Sequence, residues 1–142
     1  MVGVHLAVGI AVLGANLLAG AWGGEAWVRH RPSVGFWYAL RVAQAVVVLQ
    51  VGLGAILLLS GREASSGLHY LYGILPILVS LLAEAVRSGA AERELVGLDF
   101  DALPKDRQRR IALAIVRRET GIMAVSALVI FLLALRAATT AG

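Results

Sequence analysis

Four long apolar runs, separated by three polar interruptions, set the pattern of this chain. Apolar runs near 20 residues read as membrane-spanning helices. The pattern predicts spans at about 3–23, 36–60, 68–86 and 120–135. At about 1.5 Å of rise per residue each crosses roughly 30 Å of hydrocarbon, the fourth only just. Backbone N–H and C=O groups find no water in lipid, so each run must satisfy its own, which a helix does. The expected fold is all-α and integral to the membrane: one domain, residues 1–142, forming an up-down bundle of four transmembrane helices. The first run has the length of a secretory leader. It opens Met-Val-Gly-Val without a basic side chain, so it is expected to persist as a helix.

The polar interruptions predict an orientation. Arg29 and Arg31 lie in the first interruption. Arg87, Arg93, Lys105, Arg107, Arg109, Arg110, Arg117 and Arg118 lie in or beside the third, about 87–119. The other face has only Arg62 and Arg136. The positive-inside rule then puts the 87–119 loop in the cytoplasm and both termini outside, in a multi-pass protein of the cell membrane. Trp22, Trp27, Trp37 and Tyr38 cluster near the first cytoplasmic turn, where an aromatic belt is expected. Within the third interruption, Pro104 suits the first turn of a helix. That helix carries Ile111, Leu113, Ile115 and Val116 among its arginines and is expected to run into span four. Such a segment attracts anionic lipid headgroups.

Composition narrows the chemistry. Of the 142 residues 59% are hydrophobic and 15% charged, against about 25% charged in soluble domains. The net charge of +4 reports orientation here, not nucleic-acid binding. There is no cysteine, which excludes disulfides, thiolate metal sites and covalent CxxCH haem attachment.

Inside the spans, Ala7, Ala11, Ala15 and Ala19 form a small-residue stripe suited to close helix approach, as do Ala39, Ala43, Gly52 and Gly54. Asn16 calls for an amide partner across an interface, with Gln44 and Gln50 as candidates. Arg41 and Glu84 are expected to pair or to snorkel. Pro76 should bend span three and free a carbonyl near Tyr72.

The candidate site is a repeated His-x-x-x-Gly. His5 precedes Gly9, and His69 precedes Gly73, each at the start of an apolar run. The topology puts both imidazoles about one turn below the outer face. Two neutral imidazoles on facing helices make the axial set of a six-coordinate haem. A glycine four residues on shares its histidine's face, one turn deeper, and clears room for a porphyrin edge. Arg62 and Arg136 are candidate propionate partners, and Tyr70 and Tyr72 candidate lining residues. Each motif alone also fits a histidine that snorkels or bonds a nearby carbonyl. His30, in VRHRPS, belongs to the opposite side and is expected to be solvated. Two histidines without nearby carboxylates suit neither zinc nor di-iron.

RVAQAVVVLQVGLGAILLLSG, 41–61, followed by LHYLYG, resembles part of one half of a haem A synthase. That resemblance implies a half-bundle in which paired histidines flank a glutamine-bearing helix and bind b-type haem. His5 and His69 carry over as axial ligands. The chain is half the family's length, and Val4 and Leu6 stand where the family has an acidic residue and an arginine beside its first ligand. The chain is similar, more distantly, to four-helix transmembrane b-type cytochromes.

The function expected is a small b-type haem protein with bis-histidine ligation, carrying electrons near the outer leaflet rather than catalysing a reaction. Quinone is a conceivable redox partner, without a motif for it. The alternative is a cofactor-free scaffold or accessory subunit, as a homodimer or within a larger membrane complex. A transporter is the third class, but the midplane has no polar stripe.

Overall fold

In the computed structural model, which describes residues 1–64 and 66–140, four helices account for nearly the whole chain. They are α1 (Val2–Val28), α2 (Val34–Leu59), α3 (Gly67–Leu95) and α4 (Lys105–Thr139). All four are long and apolar enough to cross a membrane. Each predicted span lies on its own helix, and three of the helices overrun it. α1 continues to Val28 and α3 to Leu95, while the basic segment and span four form one helix of 35 residues.

The helix ends follow local chemistry. Ser33 caps α2 by accepting a hydrogen bond from Phe36 N at 3.2 Å, and Ser66 caps α3 through Leu68 N at 3.2 Å. Pro104 takes the N-cap of α4 rather than its first turn. The Gln108 side chain folds back onto the Phe100 and Leu103 carbonyls, both at 3.0 Å, and fixes the loop ahead of that helix. Pro76 sits inside α3, which continues through it.

Cross-helix neighbours define the topology. Gly23 abuts Phe36, Gln44 meets Ser80, Arg87 meets Glu119, and Gly20 abuts Leu128. Each adjacent pair is therefore antiparallel, and α1 and α3 run parallel across the bundle. α4 packs extensively on α1 and α3, whereas α2 meets α3 only sparsely.

Small residues set the α1–α4 approach, but not along the expected stripe. Ala19 is fully buried, whereas Ala7 and Ala11 are exposed. The buried line is Val12, Asn16, Ala19, Gly20, Gly23 and Ala26. A Cβ at Gly20 would come within 2.6 Å of Leu128, and one at Gly121 within 2.7 Å of Trp27. Helical periodicity explains the difference. A strict four-residue step drifts around a helix of 3.6 residues per turn, so steps of three and four must mix to stay on one neighbour.

Asn16 does not reach across an interface. It is 1% exposed and donates to the Val12 carbonyl of its own helix at 2.9 Å. Gln44 is engaged elsewhere. Arg41 pairs with Glu84 as expected, within a cluster tying three helices. Gln44 donates to Glu84 at 2.9 Å, Arg87 Nε donates to Glu84 at 2.8 Å, and Arg87 approaches Glu119 at 3.7 Å. Arg87 also lies over the Trp37 ring at 5.7 Å.

The packed core occupies the middle of the bundle and the end bearing this cluster. Phe36, Leu40, Ala43 and Met123 fill it, with Val12, Val47 and Ile130 nearer the centre. Toward the chain termini, no described residue of α1 before Val12, α2 after Val47, α3 before Pro76 or α4 after Ile130 is fully buried.

Candidate functional site

The two repeated histidines lie together at this end of the bundle. Their ring centroids are 6.2 Å apart, with the planes at 64°. Antiparallel pairing explains the meeting: α1 and α3 both begin here, so side chains in their first turns share one level. Their own helices barely approach, and α2 and α4 supply the partners that hold the rings.

His69 is oriented by α4. Its Nδ1 lies 3.1 Å from the Ala137 carbonyl oxygen. A carbonyl only accepts, so Nδ1 carries the proton and Nε2 keeps its lone pair. Ala137 lies in the last turn of its helix, where carbonyls lack a following turn to bond. Thr140 also donates to this oxygen, from its backbone N at 3.1 Å and its hydroxyl at 2.9 Å. A backbone carbonyl behind the imidazole is the usual device for presenting the other ring nitrogen to a metal.

His5 is held differently. Its Nε2 lies 3.3 Å from the Gln50 amide nitrogen, while His5 Nδ1 and Gln50 Oε1 are buried without a partner among the described residues. Turning the amide over would let Nε2–H donate to Oε1 and leave Nδ1 as a bare lone pair. Only in that second orientation does Nδ1 offer a lone pair; in the first it carries the ring proton. Gly54 lines the ring: a Cβ there would stand 3.4 Å from His5 Cε1. Gly9 faces Gln50, whose amide nitrogen would lie 3.1 Å from a Cβ, and Gly73 borders open space.

Arg136 lies over the Tyr72 ring at 5.9 Å and reaches Thr139 at 3.5 Å. Arg62 follows α2 in the connection to α3, and its side chain has no ion pair among the described residues. Tyr70 packs edge-on to His69 and accepts a hydrogen bond from Ala64 N at 2.8 Å. His30 is exposed, on the turn between α1 and α2 at the other end.

Gln50 and the Ala137 carbonyl were not among the sequence-predicted site residues. Gln50 had a signal: a lone amide near the end of α2, where antiparallel pairing brings the start of α1. The Ala137 carbonyl had none, because any residue at that position presents the same oxygen.

The rings meet edge to face, at a centroid spacing that a metal ion shared between them would also give. With a metal–nitrogen bond of about 2 Å and about 1.1 Å from ring nitrogen to centroid, imidazoles on opposite sides of one ion have centroids about 6 Å apart. Among the described residues no group of three or more His, Cys, Asp or Glu could hold a metal. Two histidines alone would hold only a metal that brings its own further ligands. Compared with known protein families, curated proteins and solved structures, the chain matches none.

Proposed function

We propose that the chain is a multi-pass membrane protein that binds one b-type haem between His5 and His69 and serves in electron transfer. The carrying observation is the pair of imidazoles with ring centroids 6.2 Å apart, brought to one level where α1 and α3 both begin. His69, aligned by the Ala137 carbonyl, would be the firmly oriented ligand. His5, steadied by Gln50 and Gly54, would complete the pair. Arg136 and Arg62 are the candidate propionate partners. Bound haem supplies a one-electron couple whose potential follows from its ligands, burial and hydrogen bonds. Two histidine ligands would leave a bound haem no free coordination site, so the pair would favour electron transfer over oxygen chemistry. The charge asymmetry supports an outer-leaflet site, with both termini outside and residues 87–119 cytoplasmic.

The test is an absorption spectrum of purified protein, oxidised and dithionite-reduced. A Soret band with sharp reduced α and β bands is expected. His5→Ala or His69→Ala should abolish the bis-histidine spectrum, and His30→Ala should leave it intact. One observation favours a second reading, a cofactor-free scaffold: each imidazole already has a partner within the chain, in Gln50 or Ala137. A colourless preparation from haem-supplemented cells would establish that reading in place of the first.

A further inference from the structure

At the opposite end, the α1–α2 turn and α4 border a cavity of about 310 Å³. Arg31, Arg117 and His30 line it together with Leu113, Ala114 and Val116. The turn builds the polar side. His30 adopts φ +55°, Arg31 N donates to the Ala26 carbonyl at 2.9 Å, and His30 Nδ1 lies 3.0 Å from the Val28 carbonyl. Neither Arg31 nor Arg117 has an ion pair among the described residues, whereas Arg29, Arg87, Arg110 and Arg118 each hold a carboxylate. Two guanidiniums without a carboxylate partner, one from the turn and one from α4, border the cavity and suit an anion.

The rest of the cavity narrows the choice of anion. Its volume is at the lower end of small-molecule sites, more than a phosphate ion needs, and one wall is aliphatic. Thr120, which also lines it, adjoins Gly121, and Gly121 is packed by Trp27. Here α4 passes from the charged KDRQRRIALAIVRRE to the apolar GIMAVSALVIFLLAL. In a spanning bundle that level is the headgroup layer. We propose that this cavity is a site for one anionic phospholipid, its phosphate between Arg31 and Arg117 and its glycerol and upper acyl carbons against Leu113 and Val116. This is a discrete site, distinct from diffuse attraction along the basic segment, and it stands whether or not haem is bound.

Native mass spectrometry of the full chain, released from phosphatidylcholine nanodiscs containing a minority of phosphatidylglycerol, tests the assignment. The wild type should retain one phosphatidylglycerol. Arg31→Gln/Arg117→Gln should lower that occupancy roughly tenfold or more, from two lost cation–headgroup contacts. Ala114→Trp, which fills the cavity from its aliphatic side and keeps both arginines, should lower it as well. The charge-matched control Arg107→Gln/Arg109→Gln should retain the lipid. The proposal fails if the first double variant or Ala114→Trp keeps the adduct, or if the control loses as much. Displacement by millimolar inorganic phosphate would identify an ion site instead and also overturn it.

Discussion

Gly23 and Gly24 are adjacent in sequence and identical in chemistry, and the fold predicts opposite responses to one added methyl group. At Gly24 a Cβ meets nothing within 4 Å, so Gly24→Ala should gain helix propensity, up to about 1 kcal/mol. At Gly23 a Cβ would lie 2.8 Å from Phe36 Cδ2 and 2.9 Å from the Ala124 Cβ. Phe36 is fully buried and Ala124 is 1% exposed, so neither can move aside without displacing α2 or α4. Overpacking of this kind costs about 1–3 kcal/mol, which exceeds the propensity gain in most of its range. The propensity gain is common to both, so the two alanine variants should differ by the overpacking cost, about 1–3 kcal/mol, with Gly23→Ala the less stable. Unfolding in mixed detergent and dodecyl sulfate micelles, followed by tryptophan fluorescence, reads this directly, since Trp22, Trp27 and Trp37 surround the region. Equal stability of the two variants would refute the close packing of α2 and α4 against α1 at Gly23.

Glu84→Gln leaves Arg41 and Arg87 facing a neutral amide and should destabilise the bundle by about 1–3 kcal/mol, the lower part of the range for a carboxylate that is only partly shielded. Arg41→Met/Glu84→Met should cost less than the sum of its single changes in the same unfolding assay. Gln50→Leu removes the group beside His5 while sparing His69, and should shift the midpoint potential or weaken haem retention without abolishing the bis-histidine spectrum; an unchanged potential and retention would remove Gln50 from the site. The chain's lack of cysteine makes orientation directly testable. With a membrane-impermeant maleimide on intact cells, Thr140→Cys should be labelled and Asp99→Cys protected until the membrane is opened.

The helices were legible because a membrane-length apolar run leaves the backbone one solution. The Arg41–Glu84 pair was legible too, since two opposite charges at one depth have few other recourses. What escaped was rotation about the helix axes. Ala7 and Ala11 have the same composition and spacing as Ala15 and Ala19, yet only the latter pair turns inward, because α4 approaches α1 along a line of mixed steps. Asn16 escaped for a related reason: an amide can satisfy itself on its own helix, and no sequence pattern distinguishes that from a cross-helix bond. At the candidate site both imidazoles were visible in the sequence, whereas their supports were not. One support is a backbone atom without side-chain identity, and the other depends on the vertical register of α1 against α2.

The length of α4 imposes an angular tolerance. Its tight seat on α1, around Ala124, and its grip on His69, at Ala137, are separated by about 20 Å of stiff helix. A tilt of about 3° about that seat moves the Ala137 oxygen by roughly 1 Å, enough to turn a good hydrogen bond into none. The alignment of one imidazole is therefore decided far from it, by glycines that let two backbones touch. A substitution at Gly20 or Gly121 can mis-aim His69 without touching it.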